Sequence, residues 1–232
     1  LRRVRLSGNR TAGIAIAGPG SRLDAADLVI DGTLPEASSG ASGRGIDCGS
    51  CQSVRLARAW LRDNHEVGLH IGGMGAQLRA SDLLVADTRQ ASDSAYGGRG
   101  VVLATGVVAV MERARIRGNR GIGLLVYNES SLRGGDLWVE YTASDADGTF
   151  GRGVDVRQLS KARLAGVQVD HNHEIGVGAK ESTFALVGAQ IEDTAPHLVN
   201  GVAHLGVGAL SEQIMYVAGR LDLAASRIRR NA

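Results

Sequence analysis

The stretch Ile116-Arg117-Gly118-Asn119-Arg120-Gly121-Ile122-Gly123-Leu124-Leu125-Val126 decides the fold of this chain. Its pattern is Val or Ile, two spacers, Asn, three or four spacers, Gly, and then alternating aliphatic residues. The pattern recurs around Asn9, Asn64, Asn172 and Asn231, and the five asparagines are 55, 55, 53 and 59 positions apart. Such regular spacing predicts one structural unit copied end to end along the chain.

Each unit contains two glycine-led aliphatic strands, of which one follows a short turn and the other a long loop. The short-turn set is Gly13-Ile14-Ala15-Ile16, Gly68-Leu69-His70-Ile71, Gly123-Leu124-Leu125-Val126 and Gly176-Val177-Gly178-Ala179. The long-loop set is Gly45-Ile46-Asp47-Cys48, Gly100-Val101-Val102-Leu103 and Gly153-Val154-Asp155-Val156. The leading glycines are 32, 23, 32, 23, 30 and 23 positions apart, so short and long connections alternate strictly.

Two more alternating runs follow each glycine-led strand, for example Leu78-Arg79-Ala80 and then Leu83-Leu84-Val85. Three short strands with period two, and no helical periodicity, predict an all-β, single-stranded parallel β-helix of about eight coils. Aliphatic residues point inward, and outward positions carry Arg, Asp and Gln. We expect the asparagines to stack at one corner and to bond their own turns and one another. We expect residues 1–232 to form a single domain that is a piece of a longer protein.

Composition limits the partners of the chain. Lys and Arg number 26, Asp and Glu number 24, and the formal net charge is +2. Interspersed charges of this kind predict a solvated surface and no nucleic-acid partner, which would require basic residues concentrated on one face. No run approaches the roughly 20 apolar residues of a membrane span. Aromatic residues make up only 3% of the chain, so Val, Leu, Ile and Ala must build the core.

Asp-Thr before the long loop and Gly-Arg-Gly after it give the chain a family resemblance. These residues are Asp87-Thr88 with Gly98-Arg99-Gly100, Thr142 with Gly151-Arg152-Gly153, and Thr33 with Gly43-Arg44-Gly45. The pattern resembles bacterial right-handed parallel β-helix repeat proteins, which belong to the pectate-lyase-like superfamily in the broad sense. More narrowly, it resembles uncharacterised secreted or surface-anchored repeat proteins. The resemblance implies a right-handed helix and an extracellular or bacterial cell-surface location, but no single activity.

The long loops exceed what the fold requires. They span 31–44, 86–99, 140–152 and 192–205, and stacked on one side they would form a ridge or a cleft wall. Insertions on one face of a repeat protein are often its binding face. The candidate binding residues are Arg44, Arg99, Arg152, Asp47, Asp155, Tyr96 and Phe150.

The first hypothesis is a non-catalytic segment that binds an acidic polysaccharide or the surface of a partner protein. The loop arginines Arg44, Arg99 and Arg152 recur every roughly 10 Å and would bond to carboxylates. Tyr96 and Phe150 would offer stacking faces. If the arginines instead pair with acids of the chain itself, they only pin the loops. A purely structural spacer is a further alternative.

An enzyme is the other alternative, namely a polysaccharide lyase, hydrolase or epimerase acting in the groove beside the loops. Asp47 and Asp155 lie four coils apart, on the order of 19 Å. Acid–base cleavage of a glycoside needs carboxylates about 5–10 Å apart. Acids within one loop, such as Asp145 and Asp147, are closer together but have no distinguishing context. We therefore assign no catalytic residue.

Metal binding has weak support in the sequence. Calcium would need several acidic oxygens, and no calcium-loop sequence is present, so a calcium cofactor is only weakly suggested. A transition-metal site would require His171, His173 and Glu174 to converge at one corner. Solvated turn residues are the better interpretation of these side chains. We assign no metal ligand.

Cys48-Gly49-Ser50-Cys51 contains the only two cysteines of the chain. Redox catalysis is not indicated, because no βαβ pattern surrounds the pair. Cys48 occupies an inward strand position and Cys51 the next turn. A local disulfide between Cys48 and Cys51 is a candidate in a secreted protein, and buried free thiols are the alternative.

Overall fold

The computed structural model describes residues 1–92, 97–199, 202–204, 206–212 and 218–231. These residues form strands and connections and contain no α-helix. Accordingly, the described ranges offer no helix that could cross a membrane. Tyr96, one of the candidate stacking residues, lies outside the described residues.

The largest sheet has twelve strands, and every neighbouring pair in it is parallel. Its members are β1 (Arg2–Ser7), β3 (Arg22–Asp31), β5 (Ser53–Arg62), β7 (Gln77–Ala86), β9 (Val108–Arg117), β11 (Ser131–Glu140), β13 (Lys161–Ala165), β14 (Gln168–Asp170), β16 (Thr183–Val187), β17 (Gln190–Glu192), β21 (Arg220–Ala224) and β22 (Arg227–Arg229). Strands that are neighbours in the sheet come from successive half-repeats along the chain.

A second sheet contains the glycine-led strands, again all parallel. Its eight strands are β2 (Ala12–Ile16), β4 (Arg44–Cys48), β6 (Val67–Gly72), β8 (Arg99–Ala104), β10 (Ile122–Tyr127), β12 (Arg152–Arg157), β15 (Ile175–Lys180) and β20 (Val207–Glu212). We call each of these strands, together with the strand or strands of the first sheet that follow it, a coil. Coil 1 is β2 with β3, and coil 8 is β20 with β21 and β22.

The predicted second and third strands of a coil are one bent strand in coils 1 to 5. Each ten-residue strand turns at a central residue with positive φ, and separate strands form only from coil 6 onward. The bending residues are Asp27, Arg58, Asp82, Arg113 and Asp136, which we call the bend ladder. A single left-handed residue changes the direction of the chain while strand pairing continues on both sides of it. Ion pairs along the ladder, at 2.6 Å for Asp27–Arg58 and 2.7 Å for Asp82–Arg113, line this corner.

Aliphatic rows fill the space between the two sheets, as the alternation predicts. One such row contains, in strand order, Ile30, Leu61, Val85, Ile116, Val139, Val169 and Ile191, each with no exposed surface. Burial of one such side chain contributes about 1.5–3 kcal/mol to folding, so each row strongly stabilises the stacking of successive coils.

The asparagines do not bond one another, which corrects that part of the sequence prediction. Asn119 is fully buried, and its side-chain oxygen accepts a hydrogen bond at 3.1 Å from the backbone N–H of Thr88 in the preceding coil. In the same way, Asn64 accepts a hydrogen bond from the backbone N–H of Thr33, and Asn172 accepts one from that of Thr142. Neighbouring asparagines are two coils apart, so the corner is an alternating Asn–Thr ladder that satisfies buried backbone donors.

The Gly-Arg-Gly motif has a steric cause. Gly98 has a φ of +90°, and a Cβ there would lie 2.6 Å from the Cβ of Arg120 in the next coil. A Cβ at Gly100 would lie 2.5 Å from the carbonyl oxygen of Gly123. Any larger residue would push successive coils apart at the end of a long loop. The steric requirement therefore applies to both glycines of the motif and not to its central arginine.

The long connections span 32–43, 87–98, 141–151 and 193–206, close to the predicted loops. The fourth contains an antiparallel hairpin of β18 (His197–Val199) and β19 (Val202–His204), which the sequence did not indicate. The all-β, parallel character of the prediction is confirmed. The order of strands in the two sheets is compatible with a parallel β-helix.

Candidate functional site

The first three long loops contact one another along one side of the molecule. The Ser92 hydroxyl donates to the carbonyl oxygen of Gly40 at 3.2 Å. The backbone N–H of Ala146 donates to Oε1 of Gln90 at 2.9 Å. These bonds join residues more than fifty positions apart, so the described parts of the three loops form a wall beside the eight-stranded sheet.

Arg44, the first of the loop arginines, is held by acids of the chain itself. Its guanidinium makes a two-pronged ion pair with Glu66 of the next coil, at 2.8 and 3.1 Å, and a further bond to Asp47 at 3.0 Å. His70 completes the group, with Nδ1 2.7 Å from Asp47. The hydrogen bonds that Arg44 donates to Glu66 raise the pKa of Arg44. Burial acts to raise the pKa of Asp47, but the hydrogen bond with His70 and the charge of Arg44 outweigh it and lower that pKa.

Arg152 repeats this arrangement four coils along. It binds Glu174 at 2.7 and 2.8 Å and Asp155 at 2.9 Å. Asp155 sits on the outer side of its strand, yet only 1% of its side chain is exposed, because Arg152 and Arg157 both bind it. Burial opposes ionisation there, but the two arginines keep the pKa of Asp155 low. Phe150 packs under the guanidinium of Arg152, with the ring centroid 5.4 Å away.

Arg99, between these two, has a different environment. Gly121 occupies the position that Glu66 and Glu174 occupy in their coils, and Asp145 of the third loop comes to that place instead. The Asp145 side chain is buried, and neither of its oxygens has a hydrogen-bond partner among the residues that the structure describes. Burial and the charge of Asp147 raise the pKa of Asp145 to about 6. Burial and the charge of Arg157 lower the pKa of Arg99.

The outer side of the eight-stranded sheet also carries an apolar cluster in its middle coils. Val102 and Leu125 occupy the same row as Asp47 and Asp155 and are nearly fully buried. Val67 and Ile122 alternate with the loop arginines in a second row of this cluster. Arg44 and Arg152 are thus elements of a partly buried, neutralised surface, which is the loop-pinning alternative of the sequence hypothesis.

The structure joins Cys48 and Cys51, the candidate pair, in a disulfide bond with a Cα–Cα distance of 5.5 Å. Cys48 is fully buried at the end of β4, and Cys51 is nearly so. The bond closes the turn that leads from β4 to β5. Both cysteines are therefore committed to structure and offer no reactive thiol.

A row of four unpaired arginines crosses the outer side of the twelve-stranded sheet. Arg55 lies opposite Arg79 in the strand register, and Arg133 lies opposite Arg163, with Val110 between the two pairs. We call Arg55, Arg79, Arg133 and Arg163 the arginine row. The row runs perpendicular to the strands and spans four strand spacings, or about 19 Å.

All four arginines of this row are exposed. Within the described part of the chain, none of them has an ion pair or a side-chain hydrogen bond. Exposed Lys161 lies in the neighbouring row, two residues from Arg163. Asp24 and Glu112 are the carboxylates that line the shallow groove of about 270 Å³ along Arg55 and Arg79. Positive charge predominates along this face.

Like charges opposite each other on neighbouring strands destabilise a sheet. Asp24 lies opposite Arg55 at one end of the row, but the other members face only arginines of the row, Val110 or Ala185. The like-charged pairs therefore have a cost that the fold does not require. Guanidinium groups form strong, two-pronged hydrogen bonds with carboxylate, sulfate and phosphate groups. The arrangement can bind a ligand that presents negative charges at regular intervals along a line.

Sequence reasoning missed this row, although the signal was present. Each arginine is the central residue of an alternating triplet such as Val54-Arg55-Leu56 or Leu78-Arg79-Ala80. The successive positions, with Val110 included, are 24, 31, 23 and 30 residues apart, which follows the alternation of the leading glycines. Interspersed in the sequence, these basic residues become neighbours because their spacing equals the length of a coil.

One group of side chains within the described ranges has the composition of a metal site. Ligand atoms of Asp170, His171 and Asp193 lie within 4.8 Å of one another. Asp193 is already bound by Arg230 at 2.7 Å, and His171 stacks on Tyr141 with ring centroids 4.8 Å apart. Glu174, which the metal hypothesis required, is bound to Arg152. Because these side chains already bind or stack on residues of the chain, structural roles are favoured over metal binding.

Comparisons with known protein families, curated proteins and solved structures find no match for this chain. The resemblance to β-helix repeat proteins therefore rests on the motifs around the long loops and on the parallel strand order. The loop arginines and the arginine row are the features of the structure that bear on function.

Proposed function

We propose that this chain is a non-catalytic, right-handed parallel β-helix segment that binds an acidic polysaccharide through the arginine row. Parallel strands that pair coil to coil support the solenoid, and the resemblance to right-handed repeat proteins supports its hand. The Cys48–Cys51 disulfide supports a location outside the cytoplasm, because such bonds persist in oxidising compartments. The location proposed is extracellular or at a bacterial cell surface.

One observation carries the proposal: four exposed arginines line one row of the sheet, and none of them forms an ion pair with a residue that the structure describes. The loop arginines Arg44 and Arg152 cannot easily serve the same purpose. Each already gives its guanidinium to two carboxylates, and a ligand would have to displace them. We therefore propose the twelve-stranded sheet as the binding face, in place of the loop wall that the sequence favoured.

A linear polyanion fits the shape of the row. The arginines form a line one residue wide, and strand pairing fixes their spacing. A polysaccharide with a carboxylate or sulfate on successive sugars presents its charges in the same way. A nucleic acid is a less good fit, because no aromatic side chain that could stack on a base occupies this row. A protein partner would require a broader surface.

An enzyme acting beside the loops has one observation in its favour. His70 is hydrogen-bonded to Asp47 on the outer side of the sheet, next to Arg44 and Glu66. The Arg, Asp and Glu of this group recur in coils 6 and 7, where Gly178 takes the place of His70. Only the histidine departs from the repeat, and the recurring part is structural.

The decisive experiment compares two double variants that remove the same charge. Arg55→Gln/Arg79→Gln removes half of the arginine row, whereas Arg58→Gln/Arg113→Gln removes two exposed arginines that are paired with aspartates. Binding to polygalacturonate, alginate and a sulfated glycosaminoglycan is measured at low and high salt. We expect the first variant to raise the Kd at least tenfold and the second to change it little. Affinity of the unmodified chain should fall as salt increases.

Three results would contradict the proposal. The first is an equal loss in both double variants, which would indicate a general charge effect. The second is tighter binding to duplex DNA or RNA than to any of the three polysaccharides. The third is an increase in ultraviolet absorbance from unsaturated uronate, which would show that the chain is a lyase. A His70→Ala variant would then locate the activity.

A further inference from the structure

The only two tryptophans of the chain lie in one outward-facing row on the second half of the bent strands, beyond the bend from the arginine row. Trp60 and Trp138 are 52% and 46% exposed, although large aromatic side chains are usually buried. In the strand register Trp60 lies opposite Leu84, Leu84 opposite Arg115, and Arg115 opposite Trp138. The two indole rings are therefore three strand spacings apart, or about 14 Å.

Shallow troughs run along this row on both sides of Trp60. One, of about 420 Å³, is lined by both tryptophans together with Leu84 and Arg115. The other, of about 390 Å³, extends from Trp60 to Val29 in coil 1. Together they cross the strands from coil 1 to coil 5 along a row of apolar side chains that Arg115 interrupts. We call the row Val29, Trp60, Leu84, Arg115 and Trp138 the tryptophan strip.

Charged rows border the strip on both sides, and most of these charges form ion pairs with residues of the chain. On one side is the bend ladder, in which Asp82 binds Arg113. On the other side Glu140 accepts a hydrogen bond from Arg115 at 2.7 Å, and the guanidinium of Arg115 lies over Trp138 at 5.1 Å. These borders exert little net field, yet they keep oxygens and N–H groups that can bond to hydroxyls.

We propose that the tryptophan strip is a second binding site, which takes a neutral, linear polysaccharide lying across the strands. Sugar rings have apolar faces that stack on indole and a rim of hydroxyls that suits the neutral, hydrogen-bonding borders. Trp60 and Trp138 are the stacking platforms, and Leu84 forms the apolar floor between them. The site lies around the bend from the arginine row and does not depend on it.

The dimensions favour a sugar chain over a protein. A stable protein interface buries about 800 Å² on each partner around an apolar core from which charged residues are depleted. The tryptophan strip is one residue wide and has charged side chains along both edges. Only a narrow, extended molecule can contact both tryptophans without burying the ion pairs beside them.

Intrinsic fluorescence tests the proposal directly, because Trp60 and Trp138 are the only indoles of the chain. Oligosaccharides of glucan, mannan, xylan and chitin are titrated into the protein while tryptophan emission is recorded. We expect at least one of these neutral chains to shift or quench the emission saturably. Trp60→Phe and Trp138→Phe then leave one indole each and should both report the same ligand. Trp60→Ala/Trp138→Ala should weaken binding at least tenfold.

Val108→Ala is the matched control. Val108 is 53% exposed on the first half of its bent strand, on the far side of the bend from the tryptophan strip. It should leave the neutral ligand unaffected. The tryptophan variants should keep their affinity for polyanions, and Arg55→Gln/Arg79→Gln should keep its affinity for the neutral chain, so the two sites fail independently. The proposal is overturned if no neutral chain alters the emission. It is also overturned if the double alanine variant binds normally, or if it abolishes a concentration-dependent dimer.

Discussion

Two sets of arginines recur along this molecule, one on every second coil and the other on nearly every coil, yet their environments are opposite. The loop arginines Arg44 and Arg152 lie on the eight-stranded sheet, one quarter exposed or less, each bound to two carboxylates. The arginine row, exemplified by Arg55 and Arg79, lies exposed on the twelve-stranded sheet and binds no acid of the described chain. Repetition alone therefore does not identify a binding residue.

Burial explains the difference. A guanidinium that is taken out of water must be neutralised, because desolvation of an unpaired charge costs several kcal/mol. The coils with Arg44 and Arg152 accordingly supply Glu66 and Glu174 from the next coil. A guanidinium in water meets no such requirement, and its own hydration is sufficient. Partners are expected where the fold needs them, and exposed cations without partners are available to a ligand.

The largest effect is expected from Arg152→Met. This change leaves Glu174 and the buried Asp155 with fewer cationic partners, and breaking a buried pair costs about 3–5 kcal/mol. Arg157 continues to neutralise Asp155, so we expect a loss at the lower end of that range, measured by urea denaturation. Arg163→Met is the control on the arginine row, and it should change the free energy of unfolding by less than about 0.5 kcal/mol. Equal losses in the two variants would remove the distinction.

Asp145→Asn should produce the next largest effect, and in the opposite direction. Burial raises the folded-state pKa of Asp145 to about 6, whereas an aspartate of the unfolded chain titrates near ~3.9. Between these values the folded state binds more protons, so stability falls as the pH rises through that window. The asparagine variant should be more stable by on the order of 2 kcal/mol at pH 7. The gain should vanish near pH 4.

Thermal denaturation of both proteins at several pH values tests this expectation. Asp147→Asn serves as the control, because Asp147 is exposed in the same loop and hydrogen bonds from Thr149 lower its pKa. It should not reproduce the gain at neutral pH. A stability gain from Asp145→Asn that is independent of pH would show that the charge of Asp145 is not the cause.

The strands, their alternation and the loop bounds followed from the sequence, because a period of two within strands and a fixed coil length are local properties. The predicted loop from Asp31 to Arg44 and the observed connection 32–43 differ by one residue at each end. The merging of two predicted strands at Arg113 was missed, because a positive φ in an arginine carries no sequence signal. Short apolar runs in the sequence do not indicate whether the residues between them continue to pair with the neighbouring strand.

The site was harder to predict, because it depends on which residues become neighbours across coils. Glu66 follows Arg44 by 22 positions, and only the stacking of coils brings them together. Asp145 lies beside Gly121 because of the path that the third loop takes, and the path of a loop does not follow the sequence repeat. Arg55 and Arg79, in contrast, could have been aligned by coil length. The arginine row is itself part of the repeat, so a departure from the repeat does not mark it.

Arg44→Met should have a smaller effect than Arg152→Met. The side chains of Arg44 and Asp47 are 25% and 31% exposed, against 16% and 1% for Arg152 and Asp155. Water therefore compensates more of the lost pairing, and we expect destabilisation of about 1–2 kcal/mol in the same urea experiment. A loss as large as that of Arg152→Met would mean that exposure does not set the strength of these pairs.

Arg79→Gln should have the smallest effect on stability, and its sign carries the information. Arg79 lies opposite Arg55 in the register, and like charges in that position repel. The variant should be equal to or slightly more stable than the unmodified chain at low salt, by up to about 0.5 kcal/mol. Salt screens the repulsion, so the gain should disappear near 1 M salt, where the Debye length is about 3 Å. A destabilised variant would mean that the folded state uses Arg79 after all, and the arginine row would then belong with the loop arginines as structure.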